Sequence, residues 1–243
     1  MEKTKTGKDT IKDIIFVHGW GEDPRIWDDI AANLPETKHH FVNLGFINND
    51  QEATTNTIVL RIKSAIFVTH SLGTIWTLRH IPPKKIDALL AINGFGCFSD
   101  FASNKTLKVM AKTLQRNTFF QMEMFWKNCN LPESMRTIYK PVLDRRVLLQ
   151  GLTWLGSWDE RKHLQAMKAR GMQVLPLGGE DDLILPLDKM KAHWDNLGCS
   201  ILLKENAGHA LPLSHPQWCA GHIKAMVKAL ELPENKRDKG VLS

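Results

Sequence analysis

No run of about 18 apolar residues, the length a helix needs to cross a membrane, occurs in this 243-residue sequence. The amino-terminal stretch "MEKTKTGKDTIKD" is polar and lysine-rich with no apolar segment behind it, so it does not read as a secretory signal. A cytoplasmic protein is expected, with no membrane partner. Cysteine is scarce and scattered. Cys97, Cys129, Cys199 and Cys219 show neither the close pairing of a zinc site nor a disulfide framework, and they read as reduced, mostly buried thiols. Internal repeats and biased segments are missing too, which excludes repeat architectures and long disordered tracts.

What is present is ordinary in bulk: 43% apolar and 24% charged residues, in a chain long enough to bury one sizeable core. One domain is expected, with room for an inserted subdomain, acting as a monomer. The formal charge of +6 is uneven, because residues 97–155 carry nine basic residues against four acidic ones. A basic face of this kind attracts nucleic acid, an anionic membrane or an acidic protein, or is simply a solvated helical surface. No nucleic-acid recognition motif accompanies the charge, so nucleic acid is not expected as a partner.

Short β-rich runs stand at "IIFVHG" (14–19), "HHFVNL" (39–44), "AIFVTH" (65–70), "ALLAIN" (88–93), "MQVLPLG" (172–178) and "CSILLK" (199–204). Runs of four to six apolar residues bounded by turn formers suit strands buried on both faces, as in a parallel sheet. Helix-compatible stretches separate most of them, which predicts an α/β fold. The rhythm breaks once. From about Phe98 to Arg170 only helical signals appear, with Leu107, Met110, Ala111, Leu114 and Phe125 at helical intervals. This predicts a core of residues 1–96 and 171–243 with a helical cap, 97–170, inserted over the strand ends.

Ligands of open α/β sheets bind beyond the carboxyl ends of the strands. Four such ends carry chemistry here: "HGWG" at 18–21, "THSLG" at 69–73, "GGEDDLILP" at 178–186 and "AGHALPLSHP" at 207–216. A serine hydroxyl needs a base within hydrogen-bond reach, and the base needs a carboxylate to orient it. Ser71, Asp182 and His209 fall in the chain order serine, acid, histidine, with the serine on a strand-to-helix turn, as in the α/β-hydrolase fold. The frame Gly179-x-x-Asp182-x-x-x-Pro186 favours Asp182, while a frame counted from Gly178 selects Asp181. An attacked ester carbonyl also needs about two backbone donors for its oxyanion. Leu72, after the serine, offers one amide, and Trp20, between Gly19 and Gly21, is placed to offer the other. His18 and His70 read as structural, and His215 as the start of a helix.

In combination, "FVHGWGEDPRIWDDIAANL", "VTHSLG", "AINGFGCFSD", "GGEDDLILP" and "ENAGHALPLSHPQWC" make the chain resemble the pimeloyl-[acyl-carrier protein] methyl ester esterases of biotin synthesis (BioH-like), a branch of the α/β-hydrolases. The likeness covers roughly residues 14–228. It implies a mostly parallel sheet flanked by helices, Ser71 as nucleophile, His209 as general base and acid, Asp182 as its carboxylate, and Trp20 and Leu72 as oxyanion donors. It implies no cofactor or metal, and an acyl carrier protein docked on basic cap residues. Arg136, Arg145 and Arg146 are candidates for that contact from charge alone. Three features depart from the family: Thr69 replaces the usual elbow glycine, "LGFINNDQEATTNT" lacks the fuller glycine-rich loop, and the leading hairpin is not evident, which predicts a smaller sheet. A general short-chain esterase or lactonase, and a non-catalytic binding protein with a decayed elbow, are the alternative readings.

Overall fold

The computed structural model describes residues 12–48 and 61–231; the predicted loop at 44–57 and the chain ahead of the first strand lie largely outside them. The order begins β1 (Asp13–Val17), α1 (Asp28–Ala32), β2 (Lys38–Val42), β3 (Ala65–His70), α2 (Leu72–His80) and β4 (Ile86–Ile92). Four helices follow without an intervening strand: α3 (Asn104–Arg116), α4 (Thr118–Asn128), α5 (Glu133–Tyr139) and α6 (Arg145–Ser157). The chain returns through α7 (Arg161–Lys168), β5 (Gln173–Gly179), α8 (Leu187–Asn196), β6 (Leu202–Lys204), α9 (Leu211–Ser214) and α10 (Pro216–Glu231).

All six strands pair in parallel, in the order β2-β1-β3-β4-β5-β6. Each overlaps one of the six apolar runs, with bounds shifted by one or two residues in several. Strand β6 is shorter than its run, because only Leu202–Lys204 pair with Leu177, Gly178 and Gly179. Alternation along the strands feeds two cores. Ile14, Phe16, Ile66, Val68, Leu90 and Leu177 pack on the face that holds Ile30 of α1 and Ile223 of α10. Ile15, Val17, Phe67, Leu89 and Ala91 face the other way, into a larger cluster continuous with Trp126, Leu148 and Leu152 of the helical insertion. β3 is buried along its whole length, as a central parallel strand must be.

The insertion is closed at its neck. Cys97 and Asp159 form an antiparallel bridge, and Glu160 N–H donates to Gly96 O at 2.8 Å. His193 of α8 fastens the same point, its Nε2 accepting from Gly96 N–H at 2.9 Å while its Nδ1–H donates to Asp100 at 2.7 Å. Helix α7 therefore follows the neck and leads straight into β5. All four cysteines are free and buried. Among the described residues no helix is long and apolar enough to cross a membrane.

Candidate active site

β3 delivers Ser71 to a sharp turn at φ 51° and ψ −122°, after which α2 begins. A non-glycine residue at positive φ costs about 1–3 kcal/mol and persists only where its surroundings enforce it. Here Ser71 N–H donates to Ile92 O at 3.1 Å, and Ser71 O accepts from Thr74 N–H at 3.0 Å. Gly73 is required by close approach: a Cβ there would lie 2.4 Å from Val17 O and 2.7 Å from His18 O. Thr69, on the other side, is fully buried and fits because its hydroxyl is satisfied, 2.8 Å from Thr74 Oγ1 and 3.4 Å from Leu90 O.

The three residues singled out by chain order meet. Ser71 Oγ lies 3.0 Å from His209 Nε2, and His209 Nδ1–H donates to Asp182 Oδ2 at 2.7 Å. Of the two candidate acids, Asp182 is the one in the cluster; Asp181 is exposed. Asp182 also accepts from Ile184 N–H (2.7 Å) and Leu185 N–H (2.9 Å) on Oδ1, and from Asn93 Nδ2 (2.6 Å) on Oδ2. Burial alone would raise its carboxyl, but the His209 ring beside it, the Leu185 amide and Asn93 hold it below the usual carboxylate range. With every lone-pair direction of the carboxylate engaged, the histidine is fixed as the Nδ1–H tautomer, leaving Nε2 free to take the serine proton.

Trp20 sits on the turn after β1, which presses against the elbow: a Cβ on Gly19 would stand 3.1 Å from Ser71 Cβ. Gly21 has φ 70° and supplies the left-handed step that turns the loop. The helical insertion then clamps the loop from above. Trp20 Nε1–H donates to Leu148 O of α6 at 2.9 Å, and Trp126 Nε1–H of α4 donates back to Gly21 O at 2.8 Å. The Trp20 ring meets Phe125 edge-on at 4.6 Å, and a Cβ on Gly151 would strike the indole at 2.4 Å. His18 ties the neighbouring loop, its Nδ1–H donating to Gly19 O and its Nε2 accepting from Leu44 N–H, both at 2.9 Å. Burial lowers its pKa, in keeping with a neutral ring. His215 stands at the end of α9, immediately before α10.

A cleft of about 430 Å³ opens between the insertion and the acid loop, walled by Phe98, Phe101, Met110, Met124, Phe125 and Ile184. The three candidate arginines separate. Arg136 is held against Glu123 and donates to Leu131 O at 3.1 Å, with 16% of its side chain exposed. Arg145 and Arg146 are exposed at the first turn of α6. Lys105, Lys108, Lys112 and Arg116 form one exposed stripe along α3, at helical spacing. Among the described residues, the cap ion pairs at Glu123 take Arg136 and Lys127, and none takes a cation of this stripe.

Asn93 and Trp126 were not legible as site residues. Asn93 directly follows β4 at φ 45°, and a polar residue closing the apolar run was its one available signal.

Residues 14–222 match the alpha/beta hydrolase family. The chain is 25% identical to the pimeloyl-[acyl-carrier protein] methyl ester esterase of Wigglesworthia glossinidia brevipalpis, across 88% of this chain and 93% of that protein. It is also 25% identical to the protein of that name from Shewanella woodyi, across 84% and 89%. Among solved structures, a bromoperoxidase from Bacillus anthracis superposes with a TM-score of 0.76 at 14% identity, covering 90% of this chain and 92% of that one. An esterase from Exiguobacterium antarcticum gives 0.74 at 15% identity, covering 89% and 92%. Family match, parallel sheet and shared architecture agree: the chain belongs to the alpha/beta hydrolase family.

Proposed function

We propose that this chain is a serine carboxylesterase acting on the methyl ester of a pimeloyl chain carried by an acyl carrier protein. The observation that carries the reading is the unbroken line of hydrogen bonds from Ser71 through His209 to Asp182, at 3.0 and 2.7 Å, at the carboxyl ends of the strands. Ser71 Oγ attacks the ester carbonyl as its proton passes to His209 Nε2. The carbonyl oxygen becomes an oxyanion facing the Leu72 and Trp20 amides; its collapse expels methoxide, which leaves as methanol with the proton from His209. Water, activated by the same histidine, then hydrolyses the acyl-serine to the free carboxylate. The reaction calls for no cofactor or metal.

The names of the two curated relatives and the basic cap support the finer substrate. Arg145 and Arg146 occupy the positive end of α6, where each cation works against the helix dipole by about 0.3–1 kcal/mol. An acidic partner docking there offsets that cost. Purified protein is offered methyl-pimeloyl-acyl carrier protein, and methanol release is measured for wild type and Ser71→Ala. Release by wild type and its loss in the variant are expected. Equal turnover by the two proteins removes Ser71 from the mechanism. Wild-type turnover confined to small free esters leaves a general esterase instead.

A further inference from the structure

Behind the candidate triad lies a second pair of ionisable groups that the reaction above does not use. Glu22, on the loop after β1, and His70, immediately before Ser71, are 2% and 1% exposed, and His70 Nδ1 is 2.8 Å from Glu22 Oε2. The same oxygen accepts Gly19 N–H at 3.0 Å. On its far side, His70 Nε2 is 2.9 Å from His209 O. Both ring nitrogens thus face oxygens with no proton to give, one a backbone carbonyl and the other a carboxylate oxygen already receiving an amide. With Glu22 ionised, each nitrogen carries a proton and the ring is an imidazolium. Its bonds join the loop bearing Trp20 to the loop bearing His209.

We propose that Glu22 and His70 form a charged positioning unit that holds the Trp20 oxyanion loop and the His209 base loop in register across Ser71. Neither residue touches the reacting atoms. The packing leaves no slack, since a Cβ on Gly19 would lie 2.9 Å from both Glu22 Oε2 and His70 Nδ1. Burial works against the charge on each group. The Glu22 carboxylate nonetheless raises His70 above its ordinary pKa, and His70 in turn lowers Glu22. The other ionisable groups that bear on the pair are Asp182, His209, His18, and the Cys129 thiol and Tyr139 phenol, both of which burial keeps protonated.

The inference rests on Ser71 as nucleophile, so Ser71 is first titrated with a fluorophosphonate and rates are expressed per labelled site. Glu22→Ala removes the shared acceptor; kcat is expected to fall about 100-fold with KM within about threefold, the signature of misplaced groups rather than lost binding. Glu22→Gln keeps an oxygen in the same place without the charge. Its kcat should exceed that of Glu22→Ala, while the alkaline limb of its pH profile moves down by about one unit or more as His70 loses its counter-ion. In the wild type, nitrogen NMR of His70 should show both ring nitrogens protonated at pH 7. A neutral His70 there, an unmoved alkaline limb in Glu22→Gln, or a Glu22→Ala rate within threefold of wild type overturns the proposal. Wild-type protein that takes no label at Ser71 overturns the esterase reading, and this one with it.

Discussion

The sheet end and the cap meet at the Trp20 loop but are built by opposite rules. At the sheet end the groups of the candidate site are buried and bonded inward: Asp182 takes four donors, one of them Asn93 Nδ2, and Ser71 is pinned through Ile92 and Thr74. The cap has a bonded inner face, through Trp126 and Leu148, and an outer face of exposed lysines, arginines and large apolar side chains such as Phe119 and Phe120. Rigidity suits groups that must meet within a few tenths of an ångström, and a solvated charged surface suits an encounter. The proposed function would place chemistry in the first layer and the encounter with substrate in the second.

Breaking the sheet end should cost most. Gly73→Ala forces a Cβ into the Val17 and His18 carbonyls, and urea unfolding should report a loss of about 3 kcal/mol, with activity falling in parallel. Next comes the clamp between the layers. Trp126→Phe keeps the ring but leaves Gly21 O buried without its donor, which should cost about 1–3 kcal/mol in stability and lower kcat more than it raises KM. The outer face should respond differently. Reversing Arg145 and Arg146 to glutamate should raise KM for a carrier-protein substrate about tenfold at low salt, shrink to little at high salt, and leave small-ester turnover unchanged.

The smallest effect sharpens the inner layer alone. His70 is raised above 6.5 in the fold, so its contribution to stability is complete below that value and is lost as pH rises through the raised pKa. Glu22 is lowered below 4.5, so its contribution is complete above that value and is lost as pH falls through the lowered one. The pair therefore stabilises most between about pH 4.5 and 6.5. Urea midpoints of wild type and Glu22→Gln should diverge most in that window and draw together as pH rises through the raised His70 pKa or falls through the lowered Glu22 pKa.

Much of the fold was legible because burial acts locally. A strand covered on both faces needs a short apolar run, and a strand overlaps each of the six runs. The serine, acid and histidine were legible because strand ends put them in one place whatever the helices do. The choice between Asp181 and Asp182 was not settled by spacing; the amides of Ile184 and Leu185, which fold back onto Asp182, distinguish them. The supporting bonds left no periodic trace, since they join residues 48 (Glu22 and His70), 89 (Asn93 and Asp182) and 105 (Gly21 and Trp126) positions apart. Charge alone did not separate Arg136 from its neighbours, because its partner Glu123 lies on another helix. Helix α7 carried the same helical signal as the cap helices, and the Cys97–Asp159 bridge with the bonds at Gly96 marks the neck ahead of it.

The reciprocal indole bonds bear on how far this enzyme architecture is modular. A cap helix bundle is an obvious unit to exchange when a different substrate range is wanted. Here such a transplant would arrive without a tryptophan over Gly21 and without a carbonyl for Trp20. It would leave the loop beside Ser71 unsupported, however well the new cleft fits its ligand. Retargeting by substitution at cleft positions such as Met110 and Met124, with Trp126, Leu148 and Gly151 kept, preserves the clamp.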